Sequence, residues 1–297
     1  QDGQRAWLAA GGQQLGTVWG HGSYVAPDWS ADWLHREALA LREIFSHRLY
    51  RTGFATISAH HQASVDALVK AEMRRNTYDA ATDTLVVGAD RAAAIAQVQA
   101  HYTGLFGKEA SLDKLREQYA MMPDALPRAE DRHALAGFFF WSAWSAATDR
   151  PGEDGLSYTS NWPHEPIVGN TLPGSAAIWS IVSIVLLIAG IAGMLWLHSR
   201  NHEPADPEAP PKDPLLALSA TPSMKAVRKY FFVVIGLILV QIGMGAITAH
   251  YAVEGQAFFG LPLGEILPYT VSRTIHTQFG IFWIATAWLA TGLYIAP

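Results

Sequence analysis

The sequence predicts a mainly α protein in two parts: a soluble outer domain, then a set of transmembrane helices. Three observations predict it. Charge is crowded into the first part. Three long apolar runs, nearly free of charge, all follow residue 174. Within the first part, apolar residues recur at helical spacing among charged ones.

The chain has 297 residues, half of them hydrophobic and only 16% charged, with a mean hydropathy of +0.10. A charged fraction of about 25% is usual for a soluble protein. The average hides two unlike halves. Residues 1–173 carry 15 of the 21 Lys and Arg and 20 of the 26 Asp and Glu, whereas residues 174–297 carry six of each. The net charge of −5 therefore sits on the first part. That acidic balance argues against nucleic acid as a partner. There is no cysteine. That rules out disulfides, cysteine-held clusters and covalent c-type haem, which needs C-x-x-C-H. Redox chemistry, if present, must use cofactors held by histidine.

Within the soluble part, Asp32–Arg51 places Trp33, Leu34, Leu39, Leu41, Ile44, Phe45 and Leu49 amid charges, an amphipathic helix. Ser58–Arg75 is a second, with Val65, Leu68, Val69 and Met73. A turn follows, and T-L-V-V predicts a short strand near Leu85. Ala89–Phe106 and Ser111–Met121 read as further helices. Asp131–Ala147 contains F-F-F-W-S-A-W, about 14 apolar or small residues, too short to span a bilayer and suited to a core or membrane surface. A Gly- and Pro-rich connector, residues 151–174, leads out of the domain.

Three membrane helices are expected at about 175–197, 230–251 and 270–296, each long enough to cross about 30 Å of hydrocarbon. The loop between the first two holds Arg200, Lys212, Lys225, Arg228 and Lys229. The next loop holds Glu254 and Glu265 but no Lys or Arg. The basic loop is therefore expected in the cytoplasm, with the N-terminal domain outside, in a periplasm if the host has one. The chain opens on Gln1 with no secretory apolar segment and stops at Y-I-A-P, at a helix end. This reads as a fragment of a longer membrane protein.

Polar residues inside such helices carry the chemistry. Ser272–Gln278 reads S-R-T-I-H-T-Q, placing His276 about 9 Å below Thr270 at the helical rise. Arg273, His276, Gly280, Trp283 and Ala287 share one face at spacings of three and four. Histidine and arginine are costly in lipid and mark functional sites that face a bundle interior. Two readings stay open on pattern alone. His276 could ligate a haem iron, with Arg273 pairing a propionate, or it could hydrogen-bond a neighbouring helix. At the outer end of the second helix, His250, Glu254 and Phe258 are four residues apart. An imidazole, a carboxylate and a ring at a membrane boundary suit a quinol, though a wetted helix end has the same composition. Among the other histidines, His60 and His61 point about 100° apart on a helix and cannot readily share a metal.

Longer strings carry a resemblance. Y-T-S-N-W-P-H-E-P (Tyr158–Pro166), G-H-G-S-Y-V-A-P-D-W-S-A-D-W-L-H-R-E (Gly20–Glu37) and S-R-T-I-H-T-Q-F-G-I-F-W-I-A-T-A-W-L-A-T-G-L-Y-I-A-P (Ser272–Pro297) resemble quinol-dependent nitric oxide reductase, a bacterial relative of the haem–copper oxidases. The resemblance implies a haem-less cytochrome-c-like outer domain on a haem–copper-oxidase-like bundle in the inner membrane. It implies reduction of two NO to N2O and water with electrons from quinol, as in denitrification. It makes His276 one axial ligand of low-spin haem b and sets Arg273 beside the propionates. It makes His250, Glu254 and Phe258 the quinol pocket. Tyr24 falls where relatives supply a tyrosine near a calcium.

The high-spin haem and non-haem iron of such enzymes would belong to further helices. The implied partners are a membrane quinol, lipid, the remaining transmembrane helices of the same enzyme and a second copy in a homodimer. Two other classes fit the same residues: a quinol oxidase or NO-dismutating relative, and a membrane-anchored periplasmic sensor or scaffold.

Overall fold

The structure is a computed structural model describing residues 1–171, 174–200, 211–213, 219–254 and 260–295, with the side chains of 176–177 and 252–254 outside the description. It is mainly helical, with an N-terminal domain followed by three membrane-length helices. The N-terminal domain contains α1 (Asp2–Ala9), α2 (Trp29–Tyr50), α3 (Ala59–Arg74), α4 (Ala89–Leu105), α5 (Asp113–Gln118) and α6 (Ala129–Ala147). A two-residue hairpin, β1 (Tyr78–Asp79) and β2 (Thr84–Leu85), joins α3 to α4 with Tyr78 opposite Leu85.

Local chemistry sets the helix ends. Asp28 caps α2, accepting from the backbone N–H of Ala31 at 3.0 Å, which satisfies an amide the helix leaves unpaired. The same carboxylate accepts from Thr17 and from the Gly20 amide, both at 2.7 Å, so it also ties down the preceding loop. Ser58 caps α3. Arg51, left-handed at φ 60°, ends α2.

α2, α4 and α6 pack around an aromatic core. Trp29 stacks on Phe139 at 5.5 Å, and Trp33 on Tyr102 at 5.2 Å; all four are buried. Phe139 thus puts the F-F-F-W run in the core, while Trp141 remains half exposed. Glu37 and Arg91 form an ion pair at 2.8 Å with both side chains almost fully enclosed. Glu37 also accepts from Trp33 Nε1 at 2.8 Å, so the carboxylate is compensated on both oxygens.

Two elements of the N-terminal domain, α1 and α5, differ from the sequence expectation. α1 has no counterpart in the periodicity, because eight residues give barely two turns of pattern. It is held by a close crossing: a Cβ on Gly3 would stand 2.1 Å from the Ala134 carbonyl oxygen of α6. The helix expected over Ser111–Met121 is confined to Asp113–Gln118. There Arg116 is turned inward, donating to the carbonyls of Gly104 and Leu105 at 3.0 and 3.1 Å. It satisfies the last turn of α4, and Ala120, left-handed at φ 50°, stops the shorter helix.

The connector is anchored by Arg74, which donates to Asp149 at 2.8 Å and to Asn170, Asn161 and the Val168 carbonyl at 3.1 Å. Then come α7 (Gly174–Arg200), α8 (Pro222–Glu254), a single turn α9 (Leu263–Ile266) and α10 (Tyr269–Ile295). Segments Ile178–Arg200, Pro222–Tyr251 and Tyr269–Ile295 are long and apolar enough to cross a membrane. α8 starts eight residues before the expected 230: Met224–Tyr230, though charged, are as helix-competent as the apolar run they precede.

The chain divides into two compact units. One is Gln1–Leu172 with Gly243–His276; the other is Pro173–Ile242 with Thr277–Pro297. The C-terminal end of α8 and the N-terminal end of α10 thus belong to the same unit as the N-terminal domain.

Candidate functional site

The N-terminal end of α10 is built around Tyr269 and the residues one turn beyond it. Tyr269 is buried and meets Tyr251 of α8 edge-on at 5.6 Å. Ala120 and Val25 of the N-terminal domain complete this small core, with Ile247 and Leu263. The Tyr251 hydroxyl donates to the Leu267 carbonyl. Ser272 is fully buried, its hydroxyl 3.2 Å from that of Thr248. Thr248 and Thr274 donate to carbonyls four residues back at 2.7 Å, satisfying hydroxyls that lipid could not.

Arg273 is half-buried. Its Nε donates to Oε1 of Gln14 at 2.6 Å, and Nη1 lies 3.4 Å from the Tyr269 hydroxyl. Gln14 ends a short 3-10 turn, Gly12–Gln14, in the N-terminal domain. Beside it, Gly11 is left-handed at φ 118°, and a Cβ there would meet the Thr270 methyl at 2.6 Å. Glycine permits both the backbone conformation and the close approach.

His276 is half-buried. Its ring lies over Gly245 of α8. A Cβ at Gly245 would stand 2.8 Å from Cε1 and Nδ1 of the ring but 3.7 Å from Nε2. The Nδ1–Cε1 edge of the ring is therefore the part nearest α8. In the second unit the roles of the helices are exchanged. A Cβ at Gly280 of α10 would stand 2.9 Å from the Gln241 amide nitrogen of α8, and Trp283 Nε1 donates to Gln241 at 2.6 Å.

At the end of α8, His250 is half-buried next to the buried Tyr251. The helix continues to Glu254, so His250 and Glu254 stand one turn apart. The Glu254 side chain and all of Phe258 lie outside the described residues. Tyr24 is 58% exposed and precedes Val25, which packs on the Tyr251–Tyr269 cluster. Among the described residues, no three His, Asp or Glu side chains converge as a metal-binding group. His60 and His61 follow one another in the first turn of α3, their ring centroids 5.9 Å apart.

Sequence reasoning misses several members of this region. Gln241, a lone amide in an apolar run, carries a signal. Gly245 carries a weaker one, as a small residue on a membrane helix. Gln14 carries none, since its partner is 259 residues away.

Known proteins bear on the chain in one respect. Residues 1–164 match the family model for the NorB cytochrome c-like domain of nitric oxide reductase. No curated protein matches the chain.

Proposed function

Because the chain belongs to the NorB family of nitric oxide reductases, we propose that it supplies the quinol-oxidising end of a nitric oxide reductase of the haem–copper oxidase superfamily. The reaction takes two NO, two electrons and two protons to N2O and water. A quinol supplies the electrons and releases two protons of its own. The membrane is the bacterial inner membrane, with the outer domain in the periplasm.

The observation that carries this reading is the seating of His276. A glycine on α8 makes room for the imidazole, whose Cε1, Nδ1 and Nε2 are the atoms nearest to it. A half-buried histidine seated against a neighbouring membrane-length helix suits an iron ligand. Arg273, one turn outward, suits a propionate partner. The residues present therefore fit haem b, which when bound supplies a one-electron carrier. His250 would hydrogen-bond a quinol hydroxyl, Glu254 would take its proton, and Phe258 would stack on the ring. Tyr24, beside Val25 of the Tyr269 cluster, would stand on the propionate side, where a calcium is the further expectation.

The test is the optical spectrum of the purified complete protein with and without dithionite. A low-spin haem b signal that His276→Ala abolishes supports the reading. An unchanged reduced spectrum in that variant refutes the ligand assignment. The contact of His276 with Gly245 also favours a second reading, in which the imidazole only packs α8 against α10 in an anchored scaffold. That reading requires a colourless protein.

A further inference from the structure

Arg273 is not oriented by its own helix alone. Its Nε, the inner nitrogen of the guanidinium, is taken up by Gln14 Oε1 at 2.6 Å, and Tyr269 sits behind Nη1 at 3.4 Å. The Nε bond fixes the plane of the guanidinium, because Nε, Cζ and both Nη atoms are coplanar. Gln14 in turn is held on a tight turn whose neighbour Gly11 presses against Thr270, one residue into α10. The turn can approach the helix only because residue 11 is glycine at φ 118°. An amide oxygen is also the right partner here. A carboxylate would bring a counter-charge of its own, whereas a neutral amide oxygen orients the group without one.

We infer that Gln14, in the outer domain, is a positioning residue for Arg273: it sets the orientation in which the guanidinium meets an anionic group at the outer membrane boundary. The inference rests on the reading of His276 and Arg273 as a haem b site, the anionic group being a haem propionate. It gives the outer domain, which has no C-x-x-C-H and so no covalent haem of its own, a part in setting the redox behaviour of a membrane cofactor.

The experiment is an optical redox titration of the low-spin haem in the complete, detergent-purified protein. Gln14→Met keeps length and volume but replaces the amide oxygen with a thioether sulfur, a much weaker acceptor. Gln14→Asn keeps the amide but draws it back by one methylene. Arg273→Gln removes the charge. A positive charge held near the haem favours the reduced form, so Arg273→Gln lowers the midpoint potential. Gln14→Met lowers it in the same direction, Gln14→Asn less so, and Gln14→Met produces no further shift in the Arg273→Gln background. If both Gln14 variants titrate like the wild type while Arg273→Gln is shifted, the positioning role is wrong and the haem site stands. If Arg273→Gln is also unshifted, or no low-spin haem is present, the inference falls together with the site assignment beneath it.

Discussion

The imidazole of His276 on α10 lies over Gly245 of α8, at a position where any side chain larger than hydrogen would bring a Cβ within 2.8 Å of the ring. The fit is local and steric, and it predicts the effect of filling it. Gly245→Val should displace the ring and destabilise the protein by about 1–3 kcal/mol, the usual result of overpacking. It should also lower the haem-to-protein ratio. Thermal melting and pyridine haemochrome analysis of the purified variant check both; a wild-type melt with full haem content would mean that the ring is not seated on α8.

A second prediction concerns the enclosed pair Glu37 and Arg91. Removing one member leaves the other buried without its counter-charge, which costs about 3–5 kcal/mol. Glu37→Ala also strands Trp33 Nε1. The double variant Glu37→Met/Arg91→Met, with no charge left, should be more stable than Glu37→Ala alone. Urea unfolding followed by tryptophan fluorescence ranks the two. The opposite order would show that the pair is not desolvated as described.

His101 introduces a pH dependence. Burial, reinforced by the positive charge of Arg36, depresses its pKa from the usual 6.5 to about 4. Its Nε2 is enclosed without a hydrogen-bond partner among the described residues. Above pH 6.5 the ring is neutral folded or unfolded and adds no dependence. Between pH 6.5 and about 4 the unfolded chain binds a proton that the folded chain refuses, so stability falls as pH falls through that window. His101→Gln should flatten the melting temperature over this range relative to the wild type. Parallel profiles for the two proteins would contradict the assignment.

The quinol reading makes a kinetic prediction. Glu254→Ala should slow quinol-driven turnover far more than NO reduction fed by an artificial electron donor, because only the first needs a proton acceptor at the end of α8. Equal losses in both assays would remove Glu254 from the quinol site.

Much of this protein was readable in the one-dimensional pattern. Charge asymmetry and three apolar runs determined the two-part α architecture, because burial in lipid or in a core depends on composition over a window. The absence of cysteine determined that no covalent c-type haem is present. The stripe Arg273, His276, Gly280 and Trp283 was legible because a helix repeats every 3.6 residues. Tertiary structure alone decided what that stripe meets: Gln14 for Arg273, Gly245 for His276, Gln241 for Gly280 and Trp283. It also decided that α1 exists, through the crossing at Gly3, and that Arg116 folds inward and shortens α5. The physical reason is range. Periodicity reports which face of an element is apolar or polar, whereas the partner of that face is chosen by steric fit and hydrogen bonding between residues tens or hundreds of positions apart.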